Sequence, residues 1–287
     1  MMPRLSRDQL EAYRARTFRL LDGMRLDTLA TAIQFVQERG FIYFWPIKGV
    51  DLPSLWTAVA GPRPVAGQHD DPGHVTWGWK DDMLDKRQWY YAKLLRGKAT
   101  IVALDVVPYF YALSENYGAP EHDYLQLYED GLLSQPARAI YEAILHEGPL
   151  DTVNLRRKIR MTSKASNSPF ERGLVELQRD LKILPVGIAR TGAWRYSFIY
   201  ELVHRYYPDL PEQARPITRK AAREKLVTLF FDSVAAATAR DVRRLFQWKP
   251  TEVERTLEAM VEADHLCAGY TLEGQTEEHY VVAHLLA

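Results

Sequence analysis

The sequence predicts a mainly α-helical protein with small β-hairpins, an α+β fold arranged as tandem winged-helix domains. Three observations carry that expectation. Between Gln135 and Tyr200 the apolar period changes from that of helices to that of strands, giving three short helices and then a hairpin. The same order returns between Thr218 and Leu285, with little sequence likeness to the first copy. The opening hundred residues read helix, helix, strand, helix, the way a winged helix begins. A chain of 287 residues has room for three such units, expected at 1–130, 131–207 and 208–287.

At the start, Ser6 and Gln9 can cap a first helix that carries Leu10 and Tyr13 on one side. Asp27 is expected to open a second helix, with Leu29, Ile33 and Val36 inward and Gly40 at its end. Phe41 to Ile47 reads as a strand closed by Pro46, and Pro53 as the start of a third helix. Trp77 and Trp79 lead into a long helix expected to reach Leu95, with Asp81, Asp82 and Asp85 as solvated residues of its first turn. Lys98 to Leu104 reads as a strand able to pair with 41–47. Asp105 is expected to cap a helix ending near Gly118, and Asp123 to Tyr128 forms one more.

In the central stretch, Ala137, Ile140, Tyr141, Ile144 and Leu145 make one helical face, stopped by Gly148-Pro149. Asp151 caps a short second helix. Ser168, Pro169 and Glu171 are expected to open the third as a capping box, with Phe170, Leu174, Leu177 and Leu181 buried. Leu184, Val186 and Ile188 alternate, as do Trp194, Tyr196, Phe198 and Tyr200, around a turn at Thr191-Gly192. In the last third a long helix follows Thr218, Thr238 and Pro250 start two more, and a hairpin turns at Glu273-Gly274.

Charge separates these units more clearly than their sum does. The formal net charge is zero, yet 131–205 holds twelve Lys/Arg against seven Asp/Glu while both flanks are mildly acidic. From Arg156 to Arg195 there are ten bases and three acids. Arg156, Arg157, Lys158, Lys164, Arg172, Arg179, Arg190 and Arg195 are therefore the expected contacts to double-stranded DNA, the third helix in the major groove and the hairpin against the backbone. The third helix of the last unit carries Glu252, Glu254, Glu258 and Glu262 and would be repelled by phosphate.

Other chemistries find little support. The single cysteine, Cys267, rules out an intramolecular disulfide and fits a reducing cytosol. His69, Asp70, Asp71 and His74 share a loop whose spacing matches no common zinc pattern, so no metal is expected. There is no P-loop and no glycine-rich dinucleotide fingerprint, and no cofactor is expected. No signal peptide and no run able to span a bilayer is apparent, so the expectation is a cytoplasmic protein without a membrane partner.

Several strings resemble the winged-helix DNA glycosylases of the crosslink-repair YcaQ/AlkZ-like type. They are Leu5-Ser6-x-x-Gln9-x-x-x-Tyr13, Leu174-x-x-Leu177-x-x-x-Leu181, and Trp194-Arg195-Tyr196 continuing through Tyr200-Glu201-Leu202-Val203-His204-Arg205 to Pro208. The resemblance spans nearly the whole chain and is strongest from about 130 to 265. It implies three tandem winged helices, a concave DNA-binding surface, and hydrolysis of the N-glycosidic bond of alkylated purines. That chemistry resembles one run by a Gln-x-Gln or Gln-x-Asp pair on the strand after the second helix. Here Tyr43 and Trp45 stand in the two places, and neither side chain can deprotonate a water. Gln34 and Gln37 lie nearby at the wrong spacing. The family's C-terminal β-rich domain has no counterpart in these residues.

The expected function is thus recognition of damaged or distorted DNA by a relative of these glycosylases whose catalytic pair is replaced, with Tyr43 and Trp45 stacking on an exposed base. An active glycosylase with other catalytic residues, and a winged-helix regulator or scaffold, are the alternatives.

Overall fold

The computed structural model describes residues 3–116, 118–192 and 195–286. Trp194 lies outside them. Strand β1 (Arg4–Leu5) and helix α1 (Arg7–Thr17) come first. Helix α2 (Leu29–Arg39) starts from a capping box in which Thr28 accepts from the Thr31 amide and the Thr31 hydroxyl accepts in return. Thr28, one residue beyond the expected Asp27, is therefore the cap. Gly40, at φ +76°, ends the helix and turns the chain into β2 (Phe41–Tyr43). Helix α3 (Leu55–Ala60), capped by Ser54, and helix α4 (Val75–Asp82) follow, then β3 (Tyr90–Ala92) and β4 (Thr100–Val102).

Two expectations fail in this region. The helix expected to reach Leu95 ends at Asp82, because Tyr90, Tyr91 and Ala92 pair with Val102, Ile101 and Thr100 instead. Consecutive residues all buried, aromatics among them, fit a strand covered on both faces better than one helix stripe. Asp81 and Asp82 consequently sit at the C-terminal end of α4, not in a first turn. Helix α5 (Val107–Tyr111) has Val106 at its cap with no side-chain bond, so Asp105 does not cap it, and it stops well short of Gly118. Helix α6 (Pro120–Glu129) then leads to the middle of the chain.

There, α7 (Gln135–Glu147) ends at Gly148 (φ +86°) and is followed by β5 (Leu150–Asp151). Asp151 caps α8 (Thr152–Lys158) by accepting from Val153 and Asn154 amides at 3.0 and 3.2 Å. Helix α9 (Asn167–Arg179) starts earlier than expected, with Ser166 at the cap position and Pro169 inside its first turn. Ser168 is not the cap; its hydroxyl accepts from Arg172 at 2.6 Å. Strands β6 (Ile183–Ala189) and β7 (Ser197–Leu202) complete the unit. After the short helices α10 (Val203–Tyr206) and α11 (Leu210–Ala214) come α12 (Arg219–Val234), β8 (Ala236–Ala237), α13 (Ala239–Phe246) and α14 (Pro250–Glu262). The hairpin β9 (Leu266–Leu272) and β10 (Glu278–Val282) closes the order.

The three sheets share one topology. In each, the strand after the first helix pairs with the last strand, which pairs with the middle one: β2-β4-β3, β5-β7-β6 and β8-β10-β9. The third sheet gains an extra edge. Strand β1 pairs in parallel with β9, Arg4 opposite Thr271 and Leu5 opposite Leu272. Next to it, α1 closes the C-terminal end of α12: Tyr13, Arg14 and Thr17 donate to the carbonyls of Asp232, Val234 and Ser233 at 3.0, 2.9 and 2.7 Å. One hydrophobic core accordingly spans the first and last units, including Phe41, Tyr90, Phe230 and Leu257. A second core, with Ile140, Phe170, Leu177 and Leu202, belongs to the middle.

Candidate nucleic-acid interface

Helix α9 is held on two sides. Phe170, Leu174 and Leu177 fill the middle core. The adjoining side lies along residues 93–97: the Gln178 amide oxygen accepts from the Lys93 N–H at 3.0 Å, and Gly97, at φ +65°, approaches Val175 where a Cβ would come within 2.8 Å. What remains open is a stripe carrying Ser168, Arg172 and Arg179. The free face is thus narrower than that of a helix standing alone.

The eight expected cations divide into two groups. All but Arg156 are exposed. The side chains of Lys164, before α9, and of Arg190 and Arg195, at the two sides of the hairpin, have no hydrogen bond or ion pair among the described residues. The other five are engaged by the fold, Arg172 on α9 by donating to Ser168. Arg156 donates to Ser163, Ser166 and Asn167 and lies 4.9 Å over the Phe170 ring, so it staples the turn between α8 and α9. Arg157 donates to Asn154, Lys158 pairs with Glu147 at 2.5 Å, and Arg179 meets Asp180 at 3.4 Å.

Tyr43 and Trp45 are not where a stacking platform has to be. Tyr43 is fully buried, its hydroxyl has no partner among the described residues, and burial pushes its phenol up to about 12. No base can reach that ring, which corrects the expectation that it stacks on DNA. Trp45 is half-buried against Phe44 and Trp77, with ring centroids 5.2 and 5.8 Å away.

A cluster that the sequence pattern did not single out lies beside them. Lys80 is 4 % exposed, with its ammonium 4.7 to 5.7 Å from the ring centres of Phe44, Trp77, Tyr91, Tyr196 and Phe198. It donates to the Tyr196 hydroxyl at 2.8 Å and pairs with Asp81 at 2.7 Å. Burial lowers its pKa, opposed by the Asp81 carboxylate. The only sequence signal was aromatic crowding, which does not say that a lysine sits inside it. Of the loop histidines and acids, Asp71 grips Arg63 and His74 meets the Ala66 carbonyl.

A family model described as AlkZ related matches residues 26–247. The chain belongs to the AlkZ-related family. Its fold is similar to that of the Streptomyces sahachiroi DNA glycosylase AlkZ, with a TM-score of 0.60 over 99 % of this chain and 72 % of that one, at 12 % identity. No curated protein matches the sequence. No helix among the described residues is long and apolar enough to cross a membrane.

Proposed function

We propose that this AlkZ-related protein is a cytoplasmic DNA-binding protein of three winged-helix domains, 1–130, 131–207 and 208–287, that recognises damaged or distorted double-stranded DNA without cleaving a glycosidic bond. The observation that carries the reading is the exposure of Lys164 ahead of the third helix of the middle unit, of Arg172 on that helix, and of Arg190 and Arg195 at the hairpin. Those are the two surfaces with which a winged helix meets a groove and a backbone. The last unit offers acids in the equivalent place, with Glu254, Glu258 and Glu262 exposed on α14. The loss of chemistry follows from Tyr43 and Trp45, since neither an unpartnered buried phenol nor an indole deprotonates water. Binding to intact, abasic and N7-methylguanine-containing duplexes, with product analysis on the same samples, tests both halves. Binding with no base release supports the reading; multiple-turnover release overturns the second half, and no binding at low salt overturns the first.

A further inference from the structure

A cleft of about 450 Å³ opens where the three units meet, between residues 94–96 and 110–115, residues 179–181, and residues 245–248. That volume suits a ligand the size of a mononucleotide. Its walls are apolar at Leu94, Phe110, Leu245 and Trp248, with one group conspicuously uncompensated. Arg96 lies half-buried in that wall, and no side-chain hydrogen bond or ion pair among the described residues engages its guanidinium. The acids in the same wall are already taken: Asp180 meets Arg179 at 3.4 Å and Glu115 meets Arg219 at 3.6 Å. A guanidinium that lines a cleft without a carboxylate of its own keeps its N–H groups on the cleft side for an anionic ligand. The Tyr43 hydroxyl, buried and unpartnered, lies close enough to feel the Arg96 charge.

We propose that this cleft binds a nucleoside monophosphate unit, its phosphate on Arg96 and its base against the apolar wall at Leu94, Phe110 and Trp248. The unit comes either free or as an unpaired nucleotide within DNA. The free form does not depend on the proposed DNA contacts of the middle unit; the DNA form does.

Thermal melting of the full chain with dAMP, deoxyadenosine and inorganic phosphate tests the ligand class, with the part of the intrinsic tryptophan fluorescence lost in Trp248→Phe as a second signal. The expected result is a rise in Tm and fluorescence quenching with dAMP, a weaker effect with phosphate, and none with deoxyadenosine at equal concentration. Arg96→Met should weaken dAMP binding at least tenfold while the ligand-free protein melts no lower than wild type, because the guanidinium it removes makes no hydrogen bond or ion pair in the fold. Arg96→Lys should keep part of the affinity and covers the case in which the methionine variant does not fold. Duplexes with and without a single unpaired adenosine distinguish the sources. Preference for the unpaired nucleotide, lost in Arg96→Met, assigns the site to DNA; a dAMP response without such preference assigns it to free nucleotide. Arg172→Glu with Arg195→Glu should abolish duplex binding yet leave the dAMP response intact, so failure of the DNA reading and failure of this one are separable. No dAMP response together with no unpaired-nucleotide preference overturns the proposal, and equal binding of phosphate and dAMP overturns the part played by the base.

Discussion

The Tyr196 hydroxyl donates to Asp81 Oδ1 at 2.9 Å, joining the hairpin of the middle unit to the end of α4 in the first. Lys80 completes the contact from below by donating to the same hydroxyl at 2.8 Å. The basic hairpin is thus held in a fixed orientation against the first unit.

That contact has unequal partners. Removing Asp81 leaves a buried ammonium without its counter-charge, so Asp81→Ala should destabilise by roughly 2–4 kcal/mol. Lys80→Met fills the same aromatic surroundings without charge and should change stability by less than about 1 kcal/mol. Urea unfolding of both variants measures the contrast; equal losses would mean that the ion pair is not the source of the cost.

For DNA binding, Arg172→Glu with Arg195→Glu should abolish measurable affinity at physiological salt and leave the circular dichroism spectrum unchanged. Arg240→Glu with Arg243→Glu, on the exposed side of α13, should have much less effect. Each phosphate interaction removed by a milder Arg→Gln change should lower the log–log salt slope by about 0.9. Equal behaviour of the two double variants would move the interface elsewhere.

Catalysis should be absent. N7-methylguanine release from alkylated duplex is expected at the spontaneous rate, measured by chromatography of the free base. Installing the family pair by Tyr43→Gln and Trp45→Asp should lower Tm instead of restoring activity, because a fully buried amide has no partner there.

Tyr43 also sets an alkaline limit. Its folded pKa of about 12 lies above the ordinary phenol value of 10.0. The contribution is therefore fully present below pH 10, where both states are protonated, and is lost as pH rises through 12, because the unfolded chain releases its proton first. Tyr43→Phe removes an unpaired hydroxyl and should be more stable at pH 7 by on the order of 1 kcal/mol. Its advantage should widen between pH 10 and 12, as read by denaturant midpoints at each pH. A constant difference across that window would contradict the burial argument.

Much of this architecture was legible from local signals. Asp151, Gly148, Thr238 and Gly40 do what their residue types suggest at helix ends, and alternation located the two later hairpins. The strand at Tyr90–Ala92 was misread because three consecutive buried residues have no period, and only pairing with Thr100–Val102 makes them a strand. At the site, counting charges found the cations but not their partners. Arg156 and Lys158 look the same in sequence as Arg190 and Arg195, yet Asn167 and Glu147 occupy the first two. Lys80 was invisible for the opposite reason, since its ring partners come from four separate segments of the chain.

Strand β1 finds its partner in β9, a segment that leaves the ribosome long after β1 itself. Until then Leu5 and the inner side of α1 have nothing to pack on, and the carbonyls at the end of α12 await Arg14. The first and last units therefore mature together once β9 is made, while the middle unit can begin to form earlier around Ile140, Phe170 and Leu177. Premature termination inside the third unit would release a chain with a middle already begun and two sticky, unfinished neighbours, a natural target for proteolysis.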